Sequence, residues 1–250
     1  MPIDDETINS NTKDRYVAFF DIMGFKDSFN RGSHEEVAQQ MKSFADAVNS
    51  AHERTKKSGT AALLGGILHL QDRVVHHAII SDCVILYTEN VSKLSLHSII
   101  NAISWLLTDC IEKNIPIKGA LAKGKFTASK EESLYFGRPL IDAYELAEQL
   151  HYYGAVFHHS AENDARELSG IVDNMVYVRR VPFKRGKIAH AMITPLPLKQ
   201  LVAIVSLDRY MAPLRRFYLT VSGDTRKYVD NTIDLYADIL GEDSDPQKYG

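Results

Sequence analysis

The sequence is poor in cysteine, carries no excess of charge of either sign and has no long uninterrupted apolar run. Its two cysteines, Cys83 and Cys110, are too few for the disulfide framework of a small secreted domain. No charged-then-apolar segment opens residues 1–12, so a reducing, cytoplasmic location is the expectation. A formal net charge of −3 argues against a strongly basic nucleic-acid binder. The longest apolar stretch, residues 99–111, is broken by Asn101, Ser104, Thr108 and Asp109, and falls short of the roughly 20 residues a membrane span needs. Neither nucleic acid nor membrane is therefore expected as a partner. Internal repeats, heptads and low-complexity linkers are also missing, which removes the case for a clean two-domain split. What remains is ordinary globular composition, 45% hydrophobic and 24% charged over 250 residues, enough for one large α/β domain with a short appendage.

Residues 1–14 are polar and read as a disordered lead. Residues 15–25 (RYVAFFDIMGF) form a β-rich run ending in Asp21 and Gly24. Ser33 and Glu36 make a capping box, after which Val37, Met41, Phe44, Val48 and Ala51 recur at helical spacing until Gly59. Residues 74–80 and 83–87 are apolar, β-branched runs joined by Ser81-Asp82, a pair suited to a two-residue hairpin turn. Ser92 opens a second helix with Leu96, Ile99, Ile100, Ile103, Leu107, Cys110 and Ile111 on one face, ended by Asn114 and Pro116. Strands follow at 117–126 and 133–136, then a helix over 140–153 closed by Gly154, and a further strand at 155–160. A hairpin over 176–181 and 187–193 turns at Lys184-Arg185-Gly186, and helices cover 208–217 and 226–240, with a frayed tail from Gly241. The order β, α, ββ, α, β is that of a split βαβ, ferredoxin-like antiparallel sheet. The expected fold is thus α/β (α+β): a domain over residues 15–203 that includes a C-terminal β-hairpin, then a helical extension and tail over 204–250.

In such a sheet Asp21, at the exit of the first strand, and Asp82, at the hairpin tip, converge. Two facing carboxylates repel unless a hard divalent cation lies between them. A turn aspartate beside a strand-terminal cap explains the same residues, and spacing alone leaves both readings open. Lys118, Lys123 and Lys125 share a strand near this point, and Lys184, Arg185 and Lys187 cluster at a hairpin tip; each could meet an anion or simply face solvent. His76-His77 and His158-His159 cannot each chelate one ion, because neighbours on a strand point to opposite faces. Cys83 and Cys110 read as small core residues. Phe19, Phe20 and Phe25 read as core, and Trp105 as core or interface.

The string AFFDIMGFKDSF (residues 18–29) resembles the metal-binding first strand and phosphate loop of class III nucleotidyl cyclases. IISDCVILY (79–87) resembles their second metal-bearing hairpin, IPIKGALAKG (115–124) their fourth strand, and YFGRPLIDAYELAEQL (135–150) the strand and helix that complete the site. The resemblance implies that Asp21 and Asp82 hold two divalent ions, Mn²⁺ or Mg²⁺, with the Ile22 carbonyl completing one of them. It implies that the backbone amides of Ile22, Met23, Gly24, Phe25 and Lys26 bind phosphate oxygens, with Lys118 and Lys184 as candidate substrate contacts. The activity implied is attack of a ribose 3′-hydroxyl on the α-phosphorus, releasing pyrophosphate.

Departures from the family's pattern narrow this expectation. Ala78 and Leu134 stand where purine cyclases carry the polar pair that reads the base, and leaving a base edge unpaired costs about 1–3 kcal/mol per group. Ile141 and Glu145 stand where the family has its transition-state Asn and Arg. A retained metal pair, a missing purine pair and the GRPLIDAYELAE helix together resemble the pyrimidine cyclases of bacterial anti-phage Pycsar systems. That resemblance implies UTP as substrate with cyclic UMP as product, or CTP with cyclic CMP, a head-to-tail homodimer, and a separate effector protein switched on by the product. A purine cyclase, and a non-catalytic nucleotide sensor in which Ile141 and Glu145 mark a decayed site, are the remaining alternatives.

Overall fold

The computed structural model describes residues 5–57, 74–168, 172, 174–195, 207–219 and 221–241. The expected frayed tail and the Gly59 helix stop lie outside them. Eight strands form one sheet in the order β2-β3-β1-β4-β6-β8-β7, with β5 paired to the far part of β4. They are β1 (Thr12–Ile22), β2 (Val75–Ile80), β3 (Cys83–Thr88), β4 (Ile117–Ser129), β5 (Leu134–Gly137), β6 (Gly154–Phe157), β7 (Val176–Phe183) and β8 (Gly186–Ile193). The helices are α1 (Asp5–Asn11), α2 (Phe25–Arg31), α3 (His34–Lys57), α4 (Lys93–Glu112), α5 (Arg138–Gln149), α6 (His159–Arg166), α7 (Leu207–Arg216) and α8 (Arg226–Gly241). The run β2-β3-β1-β4, antiparallel at every pair, is the ferredoxin-like order expected from the sequence. Beyond it β6 pairs parallel to β4, so the sheet is mixed and not wholly antiparallel.

Alternation along β1 divides the core. Ala18, Phe20 and Ile22 face α3 and α4 in one apolar layer. Phe19, with Ala120 and Ala122 of β4, faces the other layer, built from α5, α7 and α8. Ser33 caps α3 as expected: its amide donates to Glu36 Oε2 at 2.8 Å and its Oγ accepts from the Glu36 amide at 3.2 Å. Helix α4 is long and apolar enough to cross a membrane by length and composition, longer than the interrupted run suggests. Yet 89% of its apolar window is buried within the fold, which accounts for that composition by core packing.

Three expectations are corrected. The lead is not disordered over its described part: residues 5–11 form α1, and β1 starts at Thr12, because β4 runs on to Ser129 and pairs with Thr12–Asp14. The helix α5 stops at Gln149, not Gly154. There the chain turns to pair with the β7 end, where the His151 amide donates to the Pro182 carbonyl at 3.0 Å, and Gly154 opens β6, where a Cβ would meet the Tyr152 ring at 2.4 Å. The strand expected over 155–160 ends at Phe157, because the His158 side chain caps α6 by accepting from the Ser160 amide.

The C-terminal extension is fixed to the domain. The Tyr153 amide donates to Thr232 Oγ1 at 2.8 Å, Asn231 Nδ2 donates to the His151 carbonyl at 2.7 Å, and the Tyr236 hydroxyl donates to the Tyr153 carbonyl at 3.1 Å. Three bonds into one buried segment, together with Val229, Leu235 and Ile239 in the core, make α8 an integral part of the second layer.

Candidate metal and nucleotide site

The site is assembled where β1, the β2–β3 turn and the start of β4 meet. Asp21 lies opposite Cys83 of β3 and opposite Lys118 of β4. Register partners share a face, so these three side chains stand together on the face that α5 covers. Asp82 occupies the hairpin tip, after Ser81 in the left-handed region at φ 54°. Its carbonyl accepts from the Ile22 amide at 3.1 Å, which ties the turn to the end of β1. Ligand atoms of Asp21, Asp82 and Cys83 all lie within 4.8 Å of one another.

Charge in this corner is strained as a metal-binding pair should be. Burial, and then the Asp82 carboxylate, push the Asp21 carboxyl up from 3.8 to about 6, against the opposing pull of Cys83 and Lys118. The Cys83 thiol donates to Asp21 Oδ1 at 3.6 Å, and burial with both carboxylates nearby pushes it up to about 12. A thiol so held is neither a nucleophile nor a ready ligand. Two carboxylates that destabilise each other fit a hard cation such as Mg²⁺ or Mn²⁺.

The five loop amides expected to hold phosphate are not equivalent. The Ile22 amide donates to the Asp82 carbonyl at 3.1 Å and the Met23 amide to the Pro116 carbonyl at 2.8 Å, so both tie the loop to its neighbours. The turn then passes through Gly24 at φ 75°, a conformation glycine adopts without strain, and Phe25 and Lys26 open α2. Beside the loop lies a cleft of about 800 Å³, walled by Met23, Gly24 and Gln40 on one side and by Arg216, Phe217 and Tyr228 of the C-terminal extension on the other. Neither aspartate lines it.

Of the strand lysines only Lys118 points to the site. Lys123, five residues on and hence on the opposite face, donates to Asp164 at 2.6 Å beside the Tyr16 hydroxyl. Lys125 is exposed. Lys118 is buried and donates to Glu148 of α5 at 2.8 Å, while Lys184, exposed at the β7–β8 turn, stands 4.0 Å from the other Glu148 oxygen. The Lys118 hydrogen bond draws the Glu148 carboxyl below its usual range. Ala78 and Leu134 are both half-buried, on β2 and β5, which four strand pairings separate; they do not meet within one chain. Ile141 is exposed on α5 and Glu145 lies one turn beyond it.

Sequence reasoning missed two members of this cluster. Cys83 was read as core, although its place directly after Asp82 put it opposite Asp21 once the hairpin register is drawn. Glu148 gave no motif, and only its spacing from Glu145 on a helix over the sheet signalled its direction. In the first histidine pair His76 bonds Glu89 at 2.6 Å, whereas His77 packs edge-on to His52; the second pair lies past the end of β6, where His158 caps α6, and its rings are 4.0 Å apart, so these neighbours do not point to opposite faces as expected.

No family model matches the sequence, and no curated protein does. Among solved structures the chain is similar to the guanylyl cyclase Cya2, at a TM-score of 0.47 and 11% identity over 73% of this chain and 91% of that one. It is similar also to the catalytic core of a rhodopsin-guanylyl cyclase with converted specificity in complex with ATPαS, at 0.45 and 16% over 73% and 96%. A third is the adenylyl cyclase CyaB from P. aeruginosa, at 0.40 and 15% over 73% and 94%. All three lie below 25% identity and below a TM-score of 0.5.

Proposed function

We propose that the protein is a metal-dependent nucleotide cyclase that converts UTP to 3′,5′-cyclic UMP and pyrophosphate, with CTP to cyclic CMP as the neighbouring alternative. The observation that carries this reading is the meeting of Asp21 and Asp82, with ligand atoms within 4.8 Å, at one end of a ferredoxin-like sheet. Asp21 and Asp82, with the Ile22 carbonyl, would hold two Mn²⁺ or Mg²⁺ ions. Such a pair supplies charge neutralisation to a triphosphate and acidifies a bound hydroxyl.

The chain's own groups do the remaining work. Phe25 and Lys26 place their amides in the first turn of α2, where a strand-to-helix turn favours anions. Lys118 and Lys184 take triphosphate oxygens and balance charge as the bond from the α-phosphorus to the pyrophosphate oxygen breaks and the bond to the ribose 3′-oxygen forms. Ala78 and Leu134 present no donor or acceptor to a purine edge, and this favours a pyrimidine. The product would serve as a second messenger in anti-phage defence, acting on a separate effector. Exposed Ile80, Phe136, Ile141 and Tyr144, on and beside the strands that carry Ala78 and Leu134, favour a head-to-tail homodimer that would bring the two positions together across the interface.

The test is incubation with each of the four ribonucleoside triphosphates and Mn²⁺, with products identified by mass spectrometry. Cyclic UMP as the main product supports the reading in full and cyclic CMP supports the alternative. A cyclic purine overturns the argument from Ala78 and Leu134, and the absence of any cyclic product overturns cyclase activity.

A further inference from the structure

We propose that Glu148 is a positioning residue that gathers Lys118 and Lys184 into one cationic clamp for the substrate's triphosphate; the proposal rests on the cyclase reading, which already gives those lysines the triphosphate, and goes beyond it in assigning their holder. The Lys118 side chain is 3% exposed and lies in register opposite Asp21. A buried ammonium needs a partner. A carboxyl group stands across the register, yet the ammonium turns to the helix above and meets Glu148 Oε1 at 2.8 Å. The other Glu148 oxygen faces Lys184 at 4.0 Å, a residue from the far hairpin with an exposed side chain. One carboxylate thus draws together two cations, one from β4 and one from the β7–β8 turn.

Charge and position both suit a polyanion. Asp21, Asp82 and Glu148 against Lys118 and Lys184 give three negative and two positive groups, net −1 when all are ionised, and two divalent cations would turn that to +3. Glu145, the position at which cyclases of the resembled family carry an arginine, precedes Glu148 by three residues and so lies on the same side of α5. Here the helix supplies an acid one turn later, and the cation rises from the sheet beneath it. An ion pair that served stability alone would not need Lys184, whose 4.0 Å approach leaves it free to exchange Glu148 for a phosphate oxygen.

The test uses the full chain and four variants, Lys118→Met, Lys118→Arg, Lys184→Met and Glu148→Gln. Binding of inorganic tripolyphosphate with Mn²⁺ is measured by calorimetry, and kcat and KM for the nucleotide that wild type cyclises are measured alongside. Lys118→Met is expected to weaken tripolyphosphate binding at least tenfold, with Lys118→Arg recovering part of the loss and Lys184→Met weakening it severalfold. Glu148→Gln should lower kcat about tenfold, change KM by less than threefold and leave Mn²⁺ affinity in the nucleotide-free protein within twofold. Combined with Lys118→Met it should add little further loss, as for residues that act as a unit. Lys184→Met, on an exposed turn, keeps the test open if the buried variants fail to fold. If wild type cyclises a nucleotide while Lys118→Met and Lys184→Met bind tripolyphosphate as it does, the clamp is overturned and the cyclase reading stands. If wild type neither binds tripolyphosphate nor yields a cyclic product, both fall together.

Discussion

Replacing Asp21 by Asn should stabilise the metal-free protein while removing its response to metal. The Asp21 carboxyl is raised from 3.8 to about 6 by burial and by Asp82. Its proton is therefore bound more tightly in the folded state, so its contribution to stability is full below about pH 4 and lost as pH rises through about 6. At about 1.4 kcal/mol per factor of ten the whole shift corresponds to about 3 kcal/mol. Asp21 is only half-buried and partly screened by solvent, which reduces this to about 1–2 kcal/mol. Asn keeps the Oδ1 that accepts from the Cys83 thiol and discards the charge. In EDTA at pH 7.5 the variant should melt roughly 2–6 °C above wild type, a shift in keeping with a chain of this size, and at pH 5 the difference should fall to about half of that. Addition of Mn²⁺ should then raise the melting temperature of wild type and leave the variant unchanged. An Asn variant that melts below wild type equally at both pH values, or that still gains from Mn²⁺, would refute the electrostatic account of this corner.

Asp164→Ala should cost about 1–3 kcal/mol in urea unfolding, since it strips the Tyr16 hydroxyl and Lys123 of their partner, without altering Mn²⁺ affinity, because that pair lies on the opposite sheet face. Thr232→Val should cost about 1–3 kcal/mol by orphaning the buried Tyr153 amide, and unfolding followed by urea should show α8 melting with the domain in one transition. Gly137→Ala should cost about 2 kcal/mol or more, because Gly137 sits at φ 152° with the Lys125 carbonyl 2.4 Å from where a Cβ would stand; a change below 0.5 kcal/mol would contradict this.

The elements that sequence revealed are those in which local pattern and tertiary demand agree. The capping box at Ser33, the Ser81-Asp82 turn, the Ser92 cap and the Gly186 hairpin were all legible, and with them the order that brings Asp21 to Asp82. What was not legible depends on partners distant in sequence. Thr12–Asp14 look like an unstructured lead until β4 runs alongside them, and Gly154 looks like a helix stop until Tyr152 and Lys118 make it the start of a parallel strand. The commitment of the Ile22 and Met23 amides follows from backbone partners at Asp82 and Pro116, which no loop motif records. Glu148 is the clearest case: nothing adjacent marks it, and its role appears only when α5 is laid across β4 above Lys118.

The most direct test of the account is the affinity of wild type and of Asp82→Asn for Mn²⁺, read by electron paramagnetic resonance in the presence of UTP and set beside the rate of cyclic UMP formation. Asp82 stands in a half-exposed turn, so its Asn variant should fold. The account predicts that Mn²⁺ binding and cyclisation fall together in the variant, each by at least tenfold. Full Mn²⁺ binding or full activity without the Asp82 carboxylate would contradict it.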